Sequence, residues 1–269
     1  MIRAVAVVLA FLTLAPGVAR AGGESCNVPD DVAGTVAALP HVAEKLQPGR
    51  VLNILAVGSA TMFGPEASLQ PGTITSQSLG RTVPLQPQVF NQKASDRSFP
   101  LLMADALRNA VPGSEVHVTV RGGRGLLAAD MLGILKSEVA THAYTLVLWQ
   151  TGTVEAVRNL PPGEFSQTLL DGAEAVHQAG ADLVLIDPQY SRFLQTNANL
   201  EPYTLAVLQV ATMPGVVLFR RFDLMRAWVN EGQLDLERTA RADRTKAIES
   251  LHACLGRYLA RLVLESARS

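Results

Sequence analysis

Residues 51–64 read Val51-Leu-Asn-Ile-Leu-Ala-Val-Gly-Ser-Ala-Thr-Met-Phe-Gly64, and this stretch decides the fold class. Residues 52–57 form a short, nearly unbroken apolar run with branched side chains, which is typical of a strand buried on both faces. At Gly58 the run changes to small and hydroxylated residues. Ligands of open α/β sheets bind beyond the carboxyl ends of the strands. We therefore expect Ser59 to lie at a functional edge, either as a nucleophile or as a turn residue.

Further short apolar runs follow along the chain, and helical patterns separate them. The apolar runs cover residues 115–120, 144–149, 183–186 and 216–219. The helical patterns cover residues 99–110, 126–135, 165–179, 203–212 and 243–265. Strands that alternate with helices indicate βαβ units. We therefore predict an α/β fold in which a five-stranded parallel sheet lies between helix layers.

Two segments depart from this alternation. Residues 22–50 predict a leader followed by a covering helix over residues 31–46, and the main domain then extends over residues 51–269. Residues 65–97 are rich in Pro, Gln, Ser, Thr and Gly and show neither the helix nor the strand period. Long irregular connections inside compact domains are functional loops or disordered segments. Both alternatives remain open for residues 65–97.

Residues 1–21 have the three parts of a secretory signal peptide. A positive start at residues 1–3 is followed by an apolar core at residues 4–14 and by the cleavage signal Ala19-Arg-Ala21. An uncleaved anchor is the alternative, although the apolar core is short for a membrane span. We therefore predict a periplasmic or secreted protein without a stable membrane span after signal cleavage.

Charge and cysteine content narrow the function classes. The formal net charge of −1 becomes −3 when residues 1–21 are removed, and no basic block exists, so nucleic acid is not an expected partner. No His/Cys/Asp cluster has metal-ligand spacing, so no metal or organic cofactor is predicted. The two cysteines, Cys26 and Cys254, favour a disulfide in an oxidising compartment, with two unrelated buried thiols as the alternative. The oligomeric state remains open.

The order of the strand-end motifs resembles the SGNH/GDSL hydrolase family, in particular its exported alphaproteobacterial-type members. The resemblance rests on residues 54–59, 122–125, 128–131, 146–153, 184–190, 218–222 and 251–255. It implies a flavodoxin-like three-layer α/β/α sandwich. It also implies acyl transfer by a serine nucleophile, with a small-molecule or glycan ester as the substrate.

The resemblance assigns catalytic roles to four positions. The family's nucleophile follows the first strand in Gly-Asp-Ser-x-Thr, which implies Ser59. The general base near the C-terminus implies His252, and Glu249 stands where the family has the orienting Asp. Gly125 and the backbone N–H of Ser59 are the implied oxyanion donors. Alternatively, Glu249 and His252 form one exposed helix face.

Two family positions look degraded. Val154 stands where the family has the oxyanion Asn, and a valine side chain cannot donate a hydrogen bond. An alignment without gaps places Ser59 on the family Asp and Ala60 on the nucleophile, whereas a one-residue deletion restores Ser59 as the nucleophile. The sequence thus supports an exported serine ester hydrolase. The alternative is a catalytically inactive pseudoenzyme that binds a glycan or an envelope partner through the same crevice.

Overall fold

The computed structural model describes residues 26–28, 32, 37–69 and 87–269. The strands of this part of the chain form one sheet with the order β2-β3-β1-β4-β5-β6. Their bounds are β1 Val51–Ser59, β2 Gln88–Val89, β3 Glu115–Arg124, β4 Leu146–Gln150, β5 Asp182–Ile186 and β6 Val216–Phe219.

Five of these strands are parallel, and their order is that of flavodoxin-like sheets. β1 pairs in parallel with β3 and β4, and β5 pairs in parallel with β4 and β6. Counted without β2, the strand order along the chain is 2-1-3-4-5. The predicted five-stranded parallel sheet is therefore confirmed. β2 is an additional antiparallel strand at the edge, paired with the end of β3.

Helices connect the strands and cover both faces. Their bounds are α1 Pro40–Lys45, α2 Pro65–Leu69, α3 Phe99–Ala110, α4 Ala128–Thr141, α5 Thr153–Arg158, α6 Pro162–Gln178, α7 Arg192–Asn197, α8 Glu201–Val210, α9 Arg221–Asn230 and α10 Arg244–Ser266. Short 3₁₀ turns cover Ala60–Phe63 and Arg241–Asp243.

The sheet separates two apolar cores, because successive side chains of a strand point to opposite faces. Along β1, Ile54 and Ala56 pack with α3, α9 and α10, whereas Leu55 and Val57 pack with α4, α6 and α8. The predicted three-layer α/β/α sandwich is therefore confirmed.

The strand predicted at residues 115–120 is longer in the structure. β3 continues to Arg124 because β1 runs on to Ser59, and the two strands keep pairing through Gly58 with Gly122. The missing side chain at Gly122 allows this approach, since a Cβ there would lie 1.9 Å from the carbonyl oxygen of Gly58. Residues 121–124 thus belong to the strand, and α4 begins three residues after Gly125.

Several predictions fall wholly or partly outside the described residues. These are the signal peptide at residues 1–21, most of the leader and the first part of the covering helix. Residues 70–86 of the predicted irregular segment also lie outside them. Within the described part of that segment, residues 65–69 form α2 and residues 88–89 form β2. A search of the described residues found no helix long and apolar enough to cross a membrane.

The predicted disulfide joins Cys26 to Cys254 across 228 positions, with the two Cα atoms 5.6 Å apart. Further contacts fasten the same segment to the C-terminal half. Trp228 Nε1 donates to the carbonyl oxygen of Cys26, and the N–H of Val28 donates to the Tyr258 hydroxyl, both at 3.1 Å. The segment around Cys26 is therefore tied to α9 and α10.

Candidate functional site

The carboxyl ends of the parallel strands bring polar side chains to one edge of the sheet. Ser59 ends β1, Gln150 ends β4, Asp187 directly follows β5 and Arg221 follows β6. We call this the carboxyl edge, and we call the space beyond it the crevice. His252, on α10, is placed by the helix layer that packs on the same sheet.

Ser59 is partly buried and belongs to a closed ring of three hydrogen bonds. Gln150 Nε2 donates to Ser59 Oγ at 2.7 Å, and Thr61 Oγ1 donates to Gln150 Oε1 at 2.9 Å. Because the single hydroxyl proton of Thr61 is used there, the 3.1 Å contact between the two hydroxyls is donated by Ser59. The proton of Ser59 therefore points to Thr61 in this arrangement, and not to a base.

The turn after β1 fixes this ring and buries Ala60. Ala60 opens the 3₁₀ turn and is 2% exposed. Gly58 must lack a side chain, since a Cβ there would lie 2.6 Å from Met62 Cγ and 2.9 Å from Gln150 Cβ. The glycine thus allows the amide of Gln150 to approach the Ser59 hydroxyl.

His252 is 2% exposed and makes a contact that its predicted role does not include. Its Nδ1 accepts the backbone N–H of Phe99, the first residue of α3, at 3.1 Å. Ser98 is the N-cap residue of α3, but its buried hydroxyl has no hydrogen-bond partner in the described part of the chain. His252 therefore caps the first N–H of α3, and the Ser98 side chain does not take part.

The environment of His252 also determines its protonation. Burial lowers the pKa of His252 to about 4, the charge of Glu66 opposes this shift, and the charge of Arg221 adds to it. The imidazole is therefore neutral near pH 7. Because Nδ1 accepts a hydrogen bond, the single ring proton resides on Nε2. In acyl transfer the opposite tautomer is needed, with Nε2 free to accept the proton of the nucleophile.

Glu249 is engaged by an arginine. Its carboxylate accepts a hydrogen bond from Nη1 of Arg97. Nη2 of the same arginine donates to Glu66 Oε1 at 2.7 Å. No hydrogen bond joins Glu249 to His252, or His252 to Ser59, among the described residues. The proposed roles of these three residues in catalysis stay predictions.

A glycine on α10 sets the distance between His252 and α3. Gly256 lies one helical turn after His252, and its missing side chain lets the two helices approach closely. A Cβ at Gly256 would lie 2.9 Å from Leu102 Cβ, 3.1 Å from the Phe99 carbonyl oxygen and 3.2 Å from the Met103 nitrogen. This close packing brings the imidazole to the first N–H of α3.

The predicted oxyanion positions lie around the starts of α4 and α5. Gly125 has a φ of 67°, in the left-handed region that favours glycine, and its carbonyl oxygen accepts from Arg158 Nη2 at 3.3 Å. Val154 is buried in the first turn of α5. The role of Gly125 as an oxyanion donor stays a prediction.

Glu155 joins the starts of the same two helices. Its buried carboxylate accepts the N–H of Ala128, at the start of α4, and the N–H of Gly152, before α5, the second at 3.1 Å. Burial raises the pKa of Glu155, although these N–H groups lower it. These bonds show that Glu155 supports the starts of both helices.

Sequence reasoning assigned no role to Asp187 and Arg221, although both stand at strand ends. Asp187 Oδ1 accepts the N–H of Phe222 at 2.8 Å, and Arg221 Nε donates to the carbonyl oxygen of Asp187 at 3.1 Å. Burial raises the pKa of Asp187 to about 7 and lowers the pKa of Arg221 to about 10. The run Arg220-Arg221 after an apolar strand was the available signal.

The strand order and the position of the polar residues at the carboxyl edge define the SGNH hydrolase fold. The chain belongs to the Non-GDSL lipase-like family, whose sequence model matches residues 25–269. No curated protein matches the sequence.

Solved structures share this fold at low sequence identity. A catalytic mutant of an acetylxylan esterase from Geobacillus stearothermophilus is 16% identical, with 81% of this chain and 96% of that chain covered and a TM-score of 0.57. A lipase/acylhydrolase from Enterococcus faecalis is 17% identical, with 78% and 94% covered and a TM-score of 0.52. At these identities the likeness is one of fold.

Proposed function

We propose that this protein is a non-hydrolytic member of the SGNH fold that binds a small-molecule or glycan ligand in the crevice. One observation carries the proposal: His252 Nδ1 accepts the Phe99 N–H at 3.1 Å. The proton of the neutral ring is then on Nε2, so in this arrangement His252 is a hydrogen-bond donor at Nε2 and not a general base. A serine without a base is a poor nucleophile.

Three departures at other positions support the same proposal. The methyl group of Ala60 stands at the family's nucleophile position in the alignment without gaps. Val154 brings an apolar side chain to the position of the oxyanion amide, and loss of one oxyanion donor commonly costs about 100- to 1000-fold in rate. The acid that would orient the histidine, Glu249, is paired with Arg97.

The polar groups at the carboxyl edge suit the binding of hydroxyl-rich ligands. Ser59, Thr61 and Gln150 offer two hydroxyls and an amide, which can exchange their mutual hydrogen bonds for bonds to a ligand. One structure with this fold is described as an acetylxylan esterase, which makes a carbohydrate ligand a reasonable first choice. In this proposal the chain acts outside the cytoplasm, where the predicted signal peptide would direct it.

An active serine ester hydrolase is the second candidate. It is favoured by the position of Ser59 at the end of β1, where the residue is partly exposed. This candidate needs the imidazole to leave the Phe99 N–H and Glu249 to leave Arg97, so that a chain of hydrogen bonds from Ser59 to His252 to Glu249 can form.

A fluorophosphonate probe separates the two candidates, because it reacts covalently with activated serines. We expect no labelling of the purified protein and no hydrolysis of p-nitrophenyl acetate, with an active serine esterase in the same sample as the positive control. Labelling that is lost in Ser59→Ala would establish the hydrolase and overturn the proposal. Binding is measured in parallel by calorimetry with xylo-oligosaccharides, with and without acetyl groups.

A further inference from the structure

Arg221 is a buried cation whose guanidinium makes one hydrogen bond within the described part of the chain. The side chain begins α9 and is 1% exposed. Its Nε donates to the carbonyl oxygen of Asp187, but Nη2 has no hydrogen-bond partner in the described part of the chain. No ion pair joins Arg221 to an acid there either. Fully buried arginines are rare unless they are paired, and an unsatisfied buried donor calls for a partner.

The nearest acid does not supply this partner. Burial lowers the pKa of Arg221 to about 10, and the charge of Asp187 opposes this shift without cancelling it. The carboxylate of Asp187 is directed to the N–H of Phe222, at 2.8 Å. Among the described residues, the guanidinium therefore has no anion in hydrogen-bond contact.

The topology gathers further donors at the same part of the carboxyl edge. Thr151 follows β4 and Asp187 follows β5, its neighbour in the sheet. The Thr151 hydroxyl is buried and, like Arg221 Nη2, has no partner among the described residues. Burial is the main cause of the low pKa of His252, and the charge of Arg221 lowers this pKa further. The electrostatic field of the guanidinium therefore acts on the imidazole. The two unpartnered donors thus lie in the segments that follow β4 and β6, the neighbours of β5 in the sheet.

We infer that this end of the crevice binds a small carboxylate monoanion through the guanidinium of Arg221. The inference deepens the proposed function and rests on it, because it assigns a ligand class to the same crevice. The planar fork of an arginine matches the two oxygens of a carboxylate. One buried positive charge balances a monoanion, whereas a phosphate dianion would add a second negative charge beside Asp187.

Acetate is the simplest probe, and acetamide is its neutral counterpart of nearly the same shape. We expect sodium acetate to raise the Tm of the full-length protein by a few degrees above its value in sodium chloride of equal ionic strength. Acetamide should have no effect, and phosphate a smaller one. Selective broadening of the carboxyl resonance of ¹³C-labelled acetate should report the binding directly. Equal responses to acetate and chloride in both measurements would overturn the inference.

Variants at two neighbouring arginines locate the site. Arg221→Gln should abolish the response to acetate. Its Tm in chloride should equal or exceed that of the wild type, because a buried unpaired charge is removed. Arg220→Gln changes the net charge equally at a side chain that is 40% exposed and paired with Asp223, and it should keep the response. Loss of the response in Arg220→Gln alone would place the anion elsewhere and overturn the assignment.

The outcomes for the two proposals can be told apart. If the fluorophosphonate probe labels Ser59, the non-hydrolytic function fails whatever acetate does. If the probe does not label and acetate gives no response in the wild-type protein, the carboxylate site fails while the non-hydrolytic function stands. The measurements on the wild-type protein decide this even if Arg221→Gln does not fold.

Discussion

His252 Nδ1 and the backbone N–H of Phe99 form a hydrogen bond of 3.1 Å that links the C-terminal helix to the start of α3. A catalytic histidine would use the same nitrogen to donate to its acid. The residue that the family pattern marks as a base therefore serves here as the cap of a helix. Its burial suits this role, because a neutral imidazole is the form that can accept the N–H.

We predict that His252→Asn is tolerated better than His252→Ala. The asparagine side-chain oxygen can take the place of Nδ1 as the acceptor for the Phe99 N–H, whereas alanine leaves that N–H unsatisfied and a cavity behind. His252→Ala should lower the free energy of unfolding by about 1–3 kcal/mol, and His252→Asn by less. Urea unfolding measures both. Equal losses would show that the cap contributes nothing.

Two buried groups should impose opposite pH dependences on stability. Burial raises the pKa of Asp187 from its ordinary 3.8 to about 7, while the Phe222 N–H and the charges of Arg221 and Arg220 oppose the shift and Asp223 adds to it. The folded protein then keeps a proton that the unfolded chain loses, so this contribution to stability falls as the pH rises from 3.8 to about 7. Burial lowers the pKa of His252 from 6.5 to about 4. The contribution of His252 to stability is therefore lost as the pH falls from 6.5 to about 4.

Removal of either group should therefore change the slope in a defined direction. Relative to the wild type, Asp187→Asn should make the free energy of unfolding rise more steeply between about pH 4.5 and about pH 6.5, and His252→Asn less steeply. Urea unfolding at several pH values gives both slopes. Parallel curves for the three proteins would contradict the burial of these groups in their assigned protonation states.

We predict that restoring the family residues at two positions does not create an esterase. In the double variant Ala60→Ser, Val154→Asn, a hydroxyl and an amide donor return to the family positions. His252 still carries its proton on Nε2, and Glu249 is still paired with Arg97. Fluorophosphonate labelling should stay absent, with Ser59→Ala in the same background as the control. Labelling that survives Ser59→Ala would show that His252 can act as a base for position 60.

The helix contact at Gly256 should be intolerant of a single methyl group. Gly256→Ala places a Cβ within 2.9 Å of Leu102 Cβ and close to the backbone of α3, so we expect a loss of about 1–3 kcal/mol in the free energy of unfolding. Gly133→Ala is the matched control, because an added Cβ in α4 has no neighbour within 4 Å. It should stabilise the protein by about 0.5–1 kcal/mol, since alanine is the better helix former.

The disulfide should contribute substantially to stability. The double variant Cys26→Ser, Cys254→Ser removes a bond that closes a loop of 228 positions, and we expect a loss of about 2–5 kcal/mol in the free energy of unfolding. Guanidinium unfolding of the oxidised protein and of the variant measures it. Intact mass with and without reductant should differ by two hydrogens, and an unchanged mass would contradict the bond.

The sequence predicted elements best where local pattern and tertiary environment agree. The largely buried strand at residues 216–219 and the helix at residues 99–110 have the predicted bounds. The helices α5, α7 and α9 were missed because they are short or rich in charged residues, and their apolar positions form no clear stripe. The end of β3 was missed because its glycines resemble a turn, whereas pairing with β1 and β2 keeps them extended.

The sequence predicts where the candidate site lies, but not which hydrogen bonds its residues form. Strand ends identify the carboxyl edge from sequence alone, since parallel strands share their direction. The partners of His252 and Glu249 are 153 and 152 positions away in the chain, at Phe99 and Arg97. Which of several possible partners a side chain selects at such a separation depends on the packing of α3 against α10, and no local pattern encodes it.

The Cys26–Cys254 bond also makes most of the polypeptide a covalent ring. A protease that cuts the backbone once between these two positions opens the ring but releases no fragment, because the bond still joins the two pieces. Such a nicked molecule keeps its mass on a non-reducing gel and separates into two bands only after reduction. In an oxidising compartment, a single cleavage would therefore leave one molecule in two chains, with every strand still present.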